Sequence, residues 1–381
     1  MIKQVSTREI PIGSTAIEAV VTPSGQVLAP AGTELTRQII NKMKLYNVAS
    51  AVIEAPATAQ STPSEIIPNP VVPDAPKVEE GRTRIEETKT HTQKVMESNE
   101  FKNFQWDYFH AIEKLKEVFI GVSSGRGYSI NEHELVSSIT PLFISRNTIT
   151  EMFDMLNQMH ALDDTVYAHC INVALISRMI GRWLHLETHD LDVLTCCGLL
   201  HDIGKLSIPD EVLNKPGKLT DEEFALIKSH PKTGYEMLRN QDIDTRINQA
   251  ALMHHERYDG SGYPNNLSSE FLADFAMIVA IADVYDAMTA ARSYREPLCA
   301  FQVIEKFEQE GFQKYHTKYI YVFLHNIAST YQNNRVMLND GRGCKIVMLN
   351  QNTLSKPIVQ FDDGSCVDLS TQRDLFITKI L

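Results

Sequence analysis

Five histidines and two aspartates interrupt stretches of this chain that are otherwise apolar and helical in their spacing. A carboxylate buried in such a stretch costs free energy unless it is paired or bound to a metal ion. Metal ligation would account for all seven residues at once, provided that the helices bring them together. The sequence therefore predicts a helical core around one metal site, with the candidate ligands His169, His201, Asp202, His230, His254, His255 and Asp283.

Each of these residues also has a simpler interpretation when it is taken alone. His169 and His230 lie on stripes of apolar residues, where a single histidine is more often a packed core residue than a ligand. Asp283 follows the apolar run 278–282, and it could cap a helix or form a buried ion pair. The set as a whole, spread over separate apolar helices, favours metal ligation over these alternatives.

The adjacent pair His201 and Asp202 indicates what the site could do. The pair follows the apolar run 196–200 and precedes Gly204, and glycine is common just past the end of a helix. An aspartate there can give one oxygen to each of two metal ions. Two ions about 3.5–4 Å apart can clamp a phosphodiester and activate a water molecule. Histidine with carboxylate suits first-row divalent metals such as iron, manganese, zinc and nickel.

The run from His254 to Pro264, HHERYDGSGYP, is the most specific motif in the chain. It follows GLLHDIGK at 198–205 and the pair His230-Pro231, and it precedes DVYDA at 283–287. In this order the motifs resemble those of the HD-GYP domain, a branch of the HD phosphohydrolases with an all-helical core, over residues 161–332. The resemblance implies a phosphodiesterase that hydrolyses cyclic di-GMP to linear pGpG, and often on to GMP, with two or three iron or manganese ions.

The resemblance also implies roles for individual residues. The seven histidines and aspartates match the metal ligands of the family, and Asp202 and Lys205 match its catalytic positions. The planar fork of arginine suits phosphate oxygens, and glycine allows close backbone approach in the loop 260–264. The positions that match substrate-binding residues are Lys205, Gly262, Tyr263, Arg292 and Arg295.

Two positions depart from the family pattern. In the subgroup with three metals a glutamate lies four residues before the first histidine, where this chain has Thr165. Since threonine supplies no carboxylate, we expect two divalent ions, iron or manganese. Ser293 replaces the usual proline between two basic residues, which changes the stiffness of that loop more than its chemistry.

Two alternative functions stay open from the sequence. The chain could hydrolyse another substrate such as cyclic GMP-AMP, because the Gly-Tyr-Pro loop does not separate guanine from adenine. It could instead be a non-catalytic sensor that binds cyclic di-GMP, although the intact ligand set favours an enzyme.

The motif region is one of five segments. Residues 1–54 carry short strand and turn signals and predict a small α+β unit of unknown role, whereas 55–91 have the proline-, serine- and threonine-rich composition of a flexible linker. A helical region follows at 92–160, and the catalytic domain is expected at 161–332. Strand-like segments that alternate with turns predict a small β-rich appendage at 335–381. The predicted fold class is mainly α, with a helical HD-domain core, a small N-terminal α+β unit and a short C-terminal β appendage.

Local patterns predict particular elements outside the motifs. In the first segment they are strands at 17–21, 27–28 and 51–53 and a helix at 35–45. Thr220 and Glu223 have the spacing of a capping box, which predicts that a helix begins there. Near the C-terminus the predicted strands are 345–349, 357–361 and 365–369.

Bulk properties restrict the partners. The formal net charge of -12 disfavours duplex nucleic acid and membrane as partners, although local cations can still bind a small phosphate ligand. No apolar run reaches the roughly 18–20 residues of a membrane-spanning helix, and the first residues lack the apolar core of a signal peptide. With no disulfide pattern among the six cysteines, we expect a cytoplasmic protein. Its partners would be cyclic di-GMP and, through the flanking regions, a second copy of the chain or another protein.

Overall fold

The computed structural model divides the chain into two compact units, Met1–Thr88 and Lys89–Leu381. No helix in the described part of the chain is both long and apolar enough to cross a membrane, and the cytoplasmic location stays a prediction. The residues whose structure is described are 2–7, 10–21, 27–36, 39–40, 43, 48–54, 98–125, 127–144, 149–160, 165–215, 217–290 and 297–381.

Short antiparallel strands form the N-terminal unit. They are β1 (Ile2–Ser6), β2 (Ser14–Ala16), β3 (Val20–Val21), β4 (Val27–Ala29), β5 (Glu34–Leu35) and β6 (Ser50–Glu54). A four-stranded sheet has the order β1-β6-β2-β5, and β3 pairs with β4. The side chains of Leu35, Met43 and Ile53 are fully buried in the core of this unit.

The structure corrects part of the local prediction for this unit. β4 and β6 contain the strands predicted at 27–28 and 51–53, but the predicted strand at 17–21 is formed only by β3. β1 was not predicted, because it depends on pairing between distant residues such as Ile2 and Glu54. Most of the predicted helix at 35–45 and the whole predicted linker at 55–91 lie outside the described residues.

The second unit is mainly helical, as the sequence predicts. Its α-helices are α1 (Asn99–Ser123), α2 (Glu132–Ile139), α3 (Pro141–Ile144), α4 (Ile149–His160), α5 (Val166–Trp183), α6 (Thr188–Leu200), α7 (Asp210–Leu213), α8 (Asp221–Ile227), α9 (His230–Leu238), α10 (Thr245–Met253), α11 (Asp274–Thr289), α12 (Ala300–Lys306), α13 (Phe312–Lys314) and α14 (Thr317–Thr330). Shorter 3₁₀ helices span Ile203–Ser207, Ser269–Phe271 and Leu369–Thr371, and a π-helix spans Phe307–Gly311. The predicted capping box of Thr220 and Glu223 is confirmed at the start of α8.

The helices α5, α6 and α11 form the centre of this unit. α5 packs on both of the others, and most residues of the three helices are buried. A helix that is apolar on nearly all sides must be surrounded by protein. The crossing of α5 and α6 is close, because a Cβ at Gly198 would lie 2.5 Å from the Cα of Ala174. Polar side chains on these helices are therefore held within a tightly packed core.

A five-stranded antiparallel sheet completes the second unit. Its strands are β7 (Arg335–Leu338), β8 (Gly343–Met348), β9 (Ile358–Gln360), β10 (Cys366–Asp368) and β11 (Ile377–Ile380), in the order β10-β9-β8-β7-β11. β8, β9 and β10 confirm the three predicted strands, while β7 and β11 were not predicted. Val336, Ile346 and Val359 share one hydrophobic core with the helices. The domain boundaries drawn from the sequence within residues 92–381 stay predictions.

Two glycines let the 3₁₀ helix Ile203–Ser207 approach α9 closely. A Cβ at Gly204 would lie 2.0 Å from the carbonyl oxygen of His230 and 2.5 Å from the amide nitrogen of Gly234. α6 does end just before Gly204, but this glycine lacks the positive φ of a helix-ending glycine. Its role is close backbone contact, which differs from the helix-end role suggested by the sequence.

We expect Gly204→Ala to destabilise the fold by at least ~1–3 kcal/mol, because the added methyl group forces the 3₁₀ helix away from α9. Gly234→Ala is the matched control. Its Cβ would come no closer than 3.2 Å to the Gly204 nitrogen, and alanine favours a helix over glycine by about 1 kcal/mol. Chemical denaturation measures both free energies of unfolding, and equal values for the two variants would contradict this account of Gly204.

Candidate metal centre

The seven candidate ligands meet in one place in the second unit. Most are fully buried, and His169 and His255 are partly buried. By element they are His169 in α5, Asp283 in α11, His201 and Asp202 at the end of α6, His230 at the start of α9, and His254 and His255 directly after α10. The structure therefore brings together side chains from five separate parts of the sequence.

The ligand atoms fall into two groups, and each group has nitrogen atoms within 4 Å of the Asp202 carboxylate. The groups are Asp202 with His230, His254 and His255, and His169 with His201 and Asp283; within each group the ligand atoms lie within 4.8 Å of one another. Asp202 Oδ1 is 3.1 Å from His230 Nε2 and 3.7 Å from His254 Nε2. Its other oxygen, Oδ2, is 3.4 Å from His201 Nε2 and 3.5 Å from His169 Nε2. Asp202 thus presents a different oxygen to each group.

Backbone carbonyl groups at helix ends orient three of the imidazole rings. The acceptors of the Nδ1–H groups are Gly198 for His201, Ile227 for His230, and both Ala250 and Ala251 for His254. A carbonyl oxygen can only accept, so Nδ1 carries the proton and the Nε2 lone pair faces the cluster. Hydrogen bonding at one ring nitrogen fixes the tautomer in which the other nitrogen binds a metal.

The inward-facing atoms form an arrangement that a cation would stabilise. His230 Nε2 and His254 Nε2 are 3.1 Å apart, yet neither ring has a proton to share there when both Nδ1 atoms are protonated. Among the described residues, His201 Nε2 and Asp202 Oδ1 are buried without a hydrogen-bond partner. Buried polar atoms in that state destabilise a fold. The cluster is therefore consistent with the binding of divalent metal.

The charges in the cluster suit metal ligation. Burial lowers the pKa of His254 to about 4 and lowers the pKa of His255 well below its usual value. Burial alone would raise the pKa of Asp202, but the Lys205 ammonium holds it well below its usual value. Neutral imidazoles and ionised carboxylates are the forms that coordinate metals.

Asp286 contacts the first candidate ligand from behind, and the sequence analysis did not identify it. Its Oδ2 lies 2.7 Å from His169 Nδ1, while His169 Nε2 lies 3.1 Å from Asp283 Oδ1. Burial opposes protonation of His169, but the two carboxylates raise its pKa. A carboxylate in this position orients a metal-binding imidazole. The sequence did hold one indication of this role. Asp283 and Asp286 are three residues apart, a spacing that puts both on one face of α11.

Glu256 holds the loop that follows α10 against the cluster. Its buried carboxylate accepts hydrogen bonds from the backbone amides of Asn265 and Leu267, at 2.7 and 3.1 Å. Within this loop the Tyr263 ring stacks on the His255 ring, with 4.7 Å between the ring centres. The loop therefore places an aromatic ring directly on one of the candidate ligands.

The residues predicted to bind substrate are only partly described. Lys205 Nζ lies 2.5 Å from Asp202 Oδ2, at the edge of the cluster. A Cβ at Gly262 would lie 2.4 Å from backbone atoms of the preceding turn, so this glycine allows the loop to pack closely. Arg292 and Arg295 lie outside the described residues. Substrate contact by all of these residues stays a prediction.

The comparison with protein families agrees with this cluster. Residues 132–317 match the family described as HD domain, and the match contains all seven candidate ligands. Over these residues the chain is similar to HD domains. The resemblance drawn from the sequence motifs is confirmed at this level, and the matched segment includes residues before 161.

Three of the curated relatives show how much sequence this chain shares with known proteins. The cyclic di-GMP phosphodiesterase PA4108 of Pseudomonas aeruginosa is 38% identical over 155 residues, which cover 40% of this chain and 37% of the relative. The cyclic di-GMP phosphodiesterase response regulator RpfG of Xanthomonas campestris pv. campestris is 45% identical over 124 residues, 32% of each chain. The 3′3′-cGAMP-specific phosphodiesterase 2 of Vibrio cholerae is 34% identical over 182 residues, 47% of this chain and 35% of the relative. The chain thus spans only 32% to 37% of the length of these relatives.

We expect Asp286→Asn to weaken metal binding by about 10–100-fold, because a neutral amide holds the His169 ring less strongly than a carboxylate. Asp274→Asn is the matched control, since it makes the same change on the same helix and weakens the acceptor of the Tyr319 hydroxyl instead. Titration with Mn(II), followed by electron paramagnetic resonance, gives the dissociation constants. Unchanged Mn(II) affinity in Asp286→Asn would show that His169 does not need this carboxylate.

Proposed function

We propose that this chain is a metal-dependent phosphodiesterase that hydrolyses cyclic di-GMP to linear pGpG, with GMP as a further candidate product. The supporting observation is that the two oxygens of Asp202 face two separate groups of ligand atoms. One carboxylate placed in this way suits two metal ions, an arrangement used for in-line displacement at phosphorus. Two relatives that match part of this chain are named cyclic di-GMP phosphodiesterases, which supports the choice of substrate.

The centre would hold two metal ions, each of them iron or manganese. The first ion would be held by Asp202, His230, His254 and His255, and the second by His169, His201, Asp202 and Asp283. The Thr165 hydroxyl caps α5 by accepting a hydrogen bond from the backbone amide of Ala168. Thr165 supplies no carboxylate for a third ion. Imidazole and carboxylate donors suit both metals. Such ions polarise phosphoryl oxygens and lower the pKa of a bound water to about 7.

The residues around the ligands would bind and orient the phosphodiester. Lys205 carries its ammonium group beside Asp202, where it can bind a phosphate oxygen by a charge-assisted hydrogen bond. The apolar helices around the cluster exclude water, which strengthens attraction between the phosphate and nearby cations. From the sequence pattern, Arg292 and Arg295 are proposed as further phosphate contacts, and Gly262 and Tyr263 as contacts to the rest of the substrate.

Cyclic GMP-AMP is the second candidate substrate. A relative that shares 34% identity over 182 residues is named a 3′3′-cGAMP-specific phosphodiesterase, and its matching segment covers 47% of this chain. A ligand cluster alone does not distinguish two cyclic dinucleotides, because both offer the same phosphodiester to it.

Protein prepared without oxygen and loaded with Fe(II) or Mn(II) is expected to convert cyclic di-GMP to pGpG, measured by chromatography of the products. Asp202→Asn should lower turnover by more than the roughly 10–100-fold that loss of an outer partner causes, because it weakens both groups of ligands. Asp192→Asn is the control and should keep full turnover. Asp192 lies on α6, the helix that ends just before Asp202, and forms a partly exposed ion pair with Arg178. Chelation of the metal should abolish turnover.

The alternatives give different results in the same assay. Faster turnover of cyclic GMP-AMP than of cyclic di-GMP would favour the second candidate. Binding of cyclic di-GMP without any product would favour a non-catalytic sensor. Folded, metal-loaded protein that converts no cyclic dinucleotide would refute the proposed activity.

A further inference from the structure

An exposed aromatic residue lies beside the candidate metal centre on α8. Phe224 leaves 48% of its surface exposed, and Lys228 follows it one helical turn later. The Lys228 ammonium lies 4.9 Å from the centre of the Phe224 ring and 6.0 Å from the centre of the Tyr263 ring. Tyr263 in turn stacks on His255. A continuous row of aromatic and cationic groups therefore leads from a candidate ligand to the surface.

A hydrogen bond joins the C-terminal end of α8 to the cluster, and contacts with the preceding residues order its N-terminal end. At the C-terminal end, the carbonyl oxygen of Ile227 accepts the Nδ1–H group of His230 at 2.7 Å. At the N-terminal end, the carboxylate of Glu223 accepts hydrogen bonds from Lys215 and from the Thr220 amide. The last turn of α8 thus carries both a hydrogen bond to a candidate ligand and the exposed ring of Phe224.

Helix stability alone does not explain this pair. A phenylalanine and a lysine four residues apart stabilise a helix slightly wherever they occur. Here the Lys228 ammonium also faces a second ring, that of Tyr263, so it makes two cation–π contacts. An ammonium group can interact with two ring faces and still direct its hydrogen atoms towards a ligand. The pair therefore combines an exposed aromatic ring with a hydrogen-bond donor next to the place proposed for the phosphodiester.

We propose, resting on the phosphodiesterase function above, that Phe224 and Lys228 form a subsite for a guanine base of the substrate. The base displaces the Lys228 ammonium from the face of the Phe224 ring and stacks there, since every nucleobase offers a π-face to an aromatic side chain. The long lysine side chain keeps the displaced ammonium within reach of the edge of the base. Lys228 donates hydrogen bonds to O6 and N7 of guanine, two acceptors that lysine commonly recognises. Adenine carries an amino group in place of O6, so the same lysine favours guanine over adenine.

Binding of two small probes to the Mn(II)-loaded full chain tests the stacking without any need for turnover. GMP carries the base, and ribose 5-phosphate has the sugar and phosphate without it. We expect Phe224→Ala to weaken GMP binding about tenfold in calorimetry, while the affinity for ribose 5-phosphate stays unchanged and Phe224→Trp keeps GMP binding. Leu226→Ala is the matched control, because Leu226 is 39% exposed on the same helix but points to a different face.

Lys228→Gln tests the preference for guanine. The ratio of GMP to AMP affinity should fall about tenfold in this variant, since a good pair of hydrogen bonds to a base discriminates by about that factor. With cyclic di-GMP as substrate, Phe224→Ala should raise KM about tenfold and leave kcat unchanged, because the stacking is equally strong in the ground state and the transition state.

The results separate the subsite from the activity. If Phe224→Ala keeps the wild-type preference for GMP over ribose 5-phosphate, or if Leu226→Ala loses it equally, the subsite is wrong even when cyclic di-GMP is hydrolysed. If the wild type hydrolyses no cyclic dinucleotide, the proposed activity is wrong, and the comparison of GMP with ribose 5-phosphate still decides the subsite.

Discussion

The buried carboxylate of Asp202 is the group on which the rest of the site depends. Only 1% of its surface is exposed, and the Lys205 ammonium keeps it ionised against the effect of burial. An ion inside a protein destabilises the fold unless opposite charge and hydrogen-bond donors surround it. Because each oxygen of Asp202 faces different imidazole rings, the helices that carry those rings must meet around this one anion. Their apolar surfaces exclude water and so strengthen the attraction for a cation.

Helix ends do much of the positioning around Asp202. The carbonyl groups that accept from His201, His230 and His254 lie in the last turns of α6, α8 and α10. The last turn of a helix leaves carbonyl groups without partners inside the helix. The imidazole rings satisfy these groups and are oriented by them. The same helix ends carry partial negative charge, which also favours a cation in the cluster.

The sequence indicated the candidate ligands more completely than the contacts that hold them. Six of the seven candidates lie within short motifs, and the structure places His169 beside them. The bond from His169 to Asp286 joins residues 117 positions apart, and bonds to backbone carbonyl groups leave no trace in residue identity. The same limit applies to the fold: β8, β9 and β10 follow one another and were predicted, whereas β11 pairs with the distant β7 and was not. Gly204 was noticed, but its contact with α9 depends on tertiary structure.

The helix α8 shows how a rigid centre and an open rim can be built from one element. Ile227 turns its carbonyl group to His230 in the buried centre, while Phe224 turns its ring outwards. Replacing a buried group disturbs packing on all sides, whereas replacing an exposed side chain usually changes stability little. The ligands are therefore constrained by the fold, but the rim can vary without loss of the centre. Substrate choice within such a domain should then depend on residues like Phe224 and Lys228, which lie near the ligands without being part of them.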